Sequence, residues 1–280
     1  MSFNVELVGK IGSMALIDTA RGEPDDALLY RLAGELRPGM VWVTSGATEI
    51  GRLDYIKRSG RELTLQDGDP DEIKTDYASQ GQTILMQKYR QYVSPLYSIR
   101  QVLVEHQHFN DPAKREHIKA LLIRAARQNA VPIINYNDAV SFEETRKMEI
   151  QSLREKGAQA VELVDNDETA GQIACLVGAK TLVILTSADG IYRDPDDPKS
   201  LIEKITGASD AEILAAIGRA QASCRGASRA GAAGARAKLE YVKAPALQGT
   251  EVVIANAKYP LQDILNGAVR RTVVKREAGG

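Results

Sequence analysis

Seven short apolar runs, most ending abruptly in polar or glycine-bearing residues, limit what this chain can become. They are VELVGKI (5–11), MVWVTS (40–45), RQVLVEH (100–106), VPIINY (131–136), KTLVILTS (180–187), TEVVIANA (250–257) and RRTVVK (270–275). β-branched residues dominate them, and several lack the polar–apolar alternation of a half-exposed sheet, so they read as strands covered on both faces. Helical periodicity lies between them, over roughly 24–36, 75–93, 112–129, 168–178, 209–221 and 236–246. Pro24 with Asp25 and Asp26 suits a first helical turn, where proline is tolerated and carboxylates meet the positive end of the dipole. Strands alternating with helices imply an α/β fold: a three-layer α/β/α sandwich with a mostly parallel central sheet.

Nothing in the chain reads as a low-complexity linker or a repeat, so residues 1–280 form one domain in this reading, with approximate lobes at 1–160 and 161–280. Two charge-rich segments, 52–74 and 141–160, read as insertions following strand ends. A solvated face is the plainer reading of such segments; their placement makes a lid over a substrate the sharper one. The second is rich in helix formers.

At 44% hydrophobic and 26% charged, the composition is that of a soluble globular protein. A formal net charge of −1 supplies no basic footprint, so neither nucleic acid nor an anionic membrane is expected as a partner. No apolar run is long enough to span a bilayer, and the N-terminus enters a strand pattern at once, without the pattern of a secretory signal. Cys175 and Cys224, far apart, fit inert thiols in a reducing cytoplasm.

In open α/β sheets ligands bind beyond the carboxyl ends of strands. Five strand ends here are polar turns: GKIGS (9–13), TSGAT (44–48), NYNDAV (135–140), TSADG (186–190) and ANAKY (255–259). Gly12 and Gly46 allow close approach of a ligand to the backbone. Lys10 interrupts an apolar strand, where an unpaired charge is costly, so it needs a partner. His106 and His108 alternate in a run that reads as extended, which would put both on one face; without a third ligand nearby they do not make a metal site. Neither a P-loop nor a dinucleotide-binding fingerprint is present.

Taken in order, these segments resemble the amino acid kinase family, and within it the glutamate 5-kinases, over residues 5 to 274. VGKIGSMALI resembles the family's lysine-bearing first strand, VTSGATEIG its substrate loop, and ASQGQTILMQKY the helix that follows. VPIINYNDAV is similar to the PIxNENDxV signature, LVDNDETAGQIA to the GDND segment, and LVILTSADGIYRDPDDP to the nucleotide loop. RAGAAGARAKLEYV occupies the place of GTGGMxTKxxAA.

The resemblance implies an ATP-dependent kinase that phosphorylates a carboxylate of a small amino acid, the γ-carboxylate of L-glutamate first, with ATP and its Mg²⁺ as the cofactor set. It implies that Lys10 and Lys238 clamp phosphates while Asp167 holds both lysines. Ser45, Gly46, Ala47, Asp138 and Asn166 would bind the acceptor. Gly12, Ser13, Thr186, Ser187, Asp189, Gly231 and Gly234 would surround the nucleotide with the two lysines. No protein ligand for a resident metal is implied, and homo-oligomerisation is. The resemblance is to short members, without the C-terminal RNA-modification-type domain.

Departures cluster near the expected ligands. Ser187 stands where an aspartate is usual, and Ala233, Ala235 and Ala237 replace glycine, methionine and threonine. The stretch after NDAV is longer and chemically different. Two alternatives therefore stay open: another acceptor (a phosphate, phosphonate or carbamate), and a non-catalytic nucleotide- or anion-binding protein of the same fold.

Overall fold

A computed structural model describes residues 4–155, 157, 160–163, 165–224 and 234–277. The chain begins with β1 (Val5–Ile11), a small hairpin of β2 (Ile17–Asp18) and β3 (Glu23–Pro24), α1 (Asp26–Gly34), β4 (Met40–Val43), α2 (Ala47–Ser59) and α3 (Pro70–Tyr92). It continues through β5 (Ser98–Val104), α4 (Gln107–Asn110), α5 (Pro112–Arg127), β6 (Ala130–Tyr136) and α6 (Glu143–Glu155). Then come α7 (Asn166–Val177), β7 (Ala179–Thr186), β8 (Lys204–Gly207), α8 (Asp210–Ser223), α9 (Ala235–Tyr241), α10 (Lys243–Leu247), β9 (Glu251–Asn256), α11 (Leu261–Asn266) and β10 (Arg271–Arg276). This is the expected mostly parallel sheet flanked by helices. The chain divides into two interleaved units, residues 1–12, 39–43 and 165–280 in the first and 13–38 and 44–164 in the second.

In the first unit the strands run β4-β1-β7-β9-β10-β8. Neighbours are parallel except β9 and β10, which are antiparallel. β1 is central, and all of its residues but Glu6 are buried. Gly9 is demanded by packing: a Cβ there would lie 2.0 Å from the ring of Trp42, itself fully buried on β4. Helix α7 starts on the capping carboxylate of Asp165 and ends at Gly178 in the left-handed region. Burial pushes the Cys175 thiol of α7 up to about 12 and raises Cys224 as well.

In the second unit β5 and β6 pair in parallel, from Ser98 opposite Ala130 to Val104 opposite Tyr136, with α5 as the crossover. All seven residues of β6 are buried. Helices α1, α3 and α5 begin on capping aspartates (Asp25, Asp69 and Asp111), and Asp69 with Glu72 forms a reciprocal capping box. Helices α2 and α3 meet backbone to backbone at Gly51 and Gly81.

All seven expected strands form, but the structure corrects the element reading in several places. Segment 52–74 is not one insertion: its first residues finish α2 and its last ones begin α3. Helix α2 was hidden because the face it buries consists of Ala47, Ile50 and Gly51, too small a stripe to give a strong period. β8 was hidden because it is a four-residue edge strand, KITG, with an exposed lysine at its start. The helix expected at 236–246 is two, broken at Val242: Pro245 has no N–H to give the Tyr241 carbonyl four residues back, and its ring would clash with that carbonyl in a continuous helix. His106 and His108 do not share a strand face: the chain turns helical at His106, whose Nε2 lies 2.6 Å from Glu149, while His108 Nδ1 accepts from the Glu105 amide. Among the described residues no helix is long and apolar enough to cross a membrane.

Candidate functional site

In the first unit the charge that interrupts β1 finds its partner. Lys10 lies in register between Val43 of β4 and Ile184 of β7 and is 6% exposed. Its Nζ sits 2.6 Å from Oδ1 of Asp167, in the first turn of α7. Lys238 of α9 donates from Nζ to the other carboxylate oxygen, Oδ2, at 2.8 Å. One carboxylate, 3% exposed, thus joins two ammonium groups brought from distant parts of the chain. Burial would push the Asp167 carboxyl up, but the charges of Lys10 and then Lys238 outweigh it and hold it below the ordinary value.

Asp165 caps the helix, accepting from the amides of Asp167 (2.8 Å) and Glu168 (2.9 Å). Burial, and then the charge on Asp167, raise the Asp165 carboxyl. The Lys10–Asp167–Lys238 group holds two ammoniums on one carboxylate in a largely buried setting, where an incoming anion gains most.

Because the Asp167 carboxyl is depressed in the fold, its stabilising share is present above the unfolded carboxylate value of about 3.9 and is lost as pH falls through the folded value. Asp167→Asn is expected to cost about 3 kcal/mol at pH 7, by leaving two lysines face to face. The gap from wild type should close as denaturation is followed below about pH 4. A gap that persists unchanged in acid contradicts the ion-pair account.

Gly12 follows β1. Its N–H is committed to the Leu185 carbonyl at 3.1 Å, and a Cβ on it would stand 3.6 Å from Lys10 Nζ. The TSADG turn after β7 is folded on itself: Thr186 Oγ1 accepts from the Ala188 amide at 2.8 Å. It is pinned from β9, since Asn256 donates to the Ser187 carbonyl (2.9 Å) and to Asp189 (3.1 Å), and Lys258 lies 3.2 Å from the same Asp189 oxygen. Asn256 and Lys258 were not singled out from sequence, although the turn that holds them, ANAKY, was. Gly234 caps α9, and Asn166 is the first residue of α7. Gly231 lies outside the described residues, as does Ala233.

In the second unit Gly46 has φ +95°, a conformation that suits only glycine without strain, and starts α2 with no capping side chain. A Cβ there would approach Leu16 Cδ1 to 3.3 Å and Ser13 Cα to 3.7 Å, so Ser13 and the Ser45–Gly46–Ala47 turn are neighbours. Below them Tyr89 donates to Thr44, whose hydroxyl in turn reaches the Ser45 carbonyl.

Asp138 lines a cavity of about 200 Å³ together with Lys74 of α3, Ser141, and Glu143 and Arg146 of α6. Lys74 Nζ is 3.4 Å from Asp138 Oδ1. Burial pushes the Asp138 carboxyl up, with Lys74 and Arg146 drawing it partly back. Lys74 and Arg146 were missed from sequence: they fall in the two segments whose charges read as solvated faces.

Residues 7–256 match the model of the amino acid kinase family. A glutamate 5-kinase of Rhodopseudomonas palustris (strain TIE-1) is 28% identical over 273 residues, and that of Bradyrhizobium diazoefficiens (strain JCM 10833 / BCRC 13528 / IAM 13628 / NBRC 14792 / USDA 110) 26% over 272. In both cases the match covers 93% of this chain, which spans about 65% of the relative's length. Among solved structures, carbamate kinase from Giardia lamblia bound to AMP-PNP superposes with a TM-score of 0.56 at 16% identity, covering 98% of each chain. UMP kinase from Bacillus anthracis gives 0.53 at 12% identity, over 98% of this chain and 97% of that one. At these identities the likeness is one of fold.

Proposed function

Because the chain belongs to the amino acid kinase family, we propose that it is an ATP-dependent phosphotransferase whose acceptor is a carboxylate of a small amino acid, first the γ-carboxylate of L-glutamate. The observation that carries this reading is the pair of lysines held on one carboxylate, Lys10 and Lys238 on Asp167. Phosphoryl transfer spreads charge over the moving group, so catalysis is mostly positioning and cationic stabilisation. Lys10 and Lys238 supply that charge to the phosphoryl oxygens, and Asp167 is a positioning residue that keeps both ammoniums aimed.

The nucleotide, entering as MgATP substrate, is assigned to the unit that holds the two lysines and the turn of Thr186, Ser187 and Asp189. The acceptor is assigned to the unit that holds Ser45, Gly46, Ala47 and Asp138. A carboxylate is ionised at neutral pH, so no general base is required. Its oxygen forms the new bond to the γ-phosphorus as the bond to the β,γ-bridging oxygen breaks, and ADP leaves with that electron pair. A cytoplasmic setting, self-association and a place in proline biosynthesis belong to the same proposal, as the resemblance to the glutamate 5-kinases implies.

ADP release from MgATP, measured across a panel of acceptors led by L-glutamate with hydroxylamine as trap, tests it. Glutamate-dependent ADP with trapped hydroxamate is the expected result. ADP with a different acceptor moves the acceptor and keeps the reaction class. ATP binding without turnover across the panel overturns the enzyme reading.

A further inference from the structure

Resting on the acceptor assignment just made, we infer that Arg146, on the charge-rich segment that sets this chain apart, and Lys74 form the subsite for the α-carboxylate of the acceptor. Asp138 between them takes its ammonium, so the cavity reads the zwitterionic head of an α-amino acid.

The charges that line the cavity carry the choice of ligand. Two cations, Lys74 and Arg146, face three carboxylates, Asp71, Asp138 and Glu143, the last already paired with Lys147 at 2.6 Å. A free phosphate or phosphonate would bring two negative charges to a lining with no surplus of positive charge and leave Asp138 facing an anion, at a cost in repulsion. A zwitterion matches both signs at once. The volume, about 200 Å³, is below that of pockets for drug-sized ligands and suits a small metabolite.

Asp138 is the group most in need of such a ligand. It is largely buried, its carboxyl is raised by that burial, and the contact from Lys74 is a long 3.4 Å. An ammonium bound to it would replace Lys74, freeing that lysine for the neighbouring carboxylate.

Arg146 is held rather than loose. Its Nη1 donates to the carbonyl of Leu163 at 3.2 Å. Leu163 is fully buried and adopts φ +54°, a strained conformation that persists only where its surroundings fix it. Helix α6 is itself tied down by the buried Ile150, by His106 Nε2 against Glu149, and by Arg154 against Glu162. Arginine has five donors, so one committed to Leu163 leaves the rest of the fork for a carboxylate.

The experiment is calorimetric titration of the full chain with three probes, L-glutamate, glutarate (no α-amino group) and 4-aminobutyrate (no α-carboxylate). Wild type should bind L-glutamate about 10- to 100-fold more tightly than either analogue, the range of one or two charge-assisted hydrogen bonds. In Arg146→Gln the preference over 4-aminobutyrate should collapse while that over glutarate remains. Should Arg146→Gln fail to fold, Lys74→Gln, at a side chain 57% exposed, is expected to show the same selective loss. L-glutamate that fails to bind, analogues that bind as well as it does, or a 4-aminobutyrate preference untouched in the variants overturns the inference. ADP production from another acceptor by a protein that does not bind glutamate would do so while sparing the kinase reading.

Discussion

Lys10→Ala lowers kcat for acceptor-dependent ADP formation by about 10²–10³-fold, the loss that follows removal of one preorganised charge donor from a transition state. The reason lies in where the lysine is. Lys10 sits between two buried strands with its ammonium against Asp167, so the cost of taking the charge out of water is met on folding rather than during the reaction. Asp167 keeps Lys238 in the variant, which limits the damage to the fold and separates the catalytic loss from unfolding. Lys10→Arg is not a rescue, because a planar fork cannot replace a compact ammonium in that space. A thermal melt alongside the kinetics reads the two effects apart. Activity within about fivefold of wild type, with the fold intact, removes Lys10 from the machinery.

Gly81→Ala lowers the melting temperature by about 7 °C, roughly 4 kcal/mol, above the usual range for overpacking. A Cβ on Gly81 would stand 1.8 Å from the carbonyl oxygen of Ala47 and 2.5 Å from the Gly51 nitrogen. One on Gly51 would stand 1.8 Å from the Tyr77 carbonyl oxygen. These neighbours are backbone, so no rotamer change relieves the clash, and the two helices have to part. Since the same separation serves both substitutions, the double variant Gly51→Ala/Gly81→Ala should cost well below the sum of the singles. Parting α2 from α3 also displaces Ala47, the last residue of the turn assigned to the acceptor. A loss below about 1 kcal/mol for Gly81→Ala would mean the helices are not in close contact there.

The sheet was legible because its strands are apolar on both faces, and period-free β-branched runs leave few alternatives. Lys10 was legible for a related reason: a charge inside such a run needs an explanation. Asp167 and Lys238 were not readable from residue chemistry, because nothing local ties position 167 to 10 or to 238; only the ordered resemblance of motifs joined them, and the 2.6 and 2.8 Å contacts are where the fold brings them. Helix α2 escaped because glycine and alanine bury a face without advertising it. Lys74 and Arg146 escaped for the opposite reason, since charge in a charge-rich segment is the commonest sign of a solvated surface. Asn256 and Lys258 needed the strand order, which sets β9 beside β7 and so their turn beside TSADG.

The interleaving of the two units governs the order in which a growing chain can complete them. Every residue of the second unit has been synthesised by position 164, and its parallel β5–β6 pair and the α2–α3 contact can form from that stretch alone. The first unit opens with β1 and must then wait. Of the neighbours of β1, β4 is soon made, but β7 arrives only with residues 179–186, and Lys238 later still. Asp167 precedes β7, so the Lys10 ammonium finds its carboxylate shortly before the bare edge of β1 is covered, and β1 stays unfinished long after the second unit has all its residues.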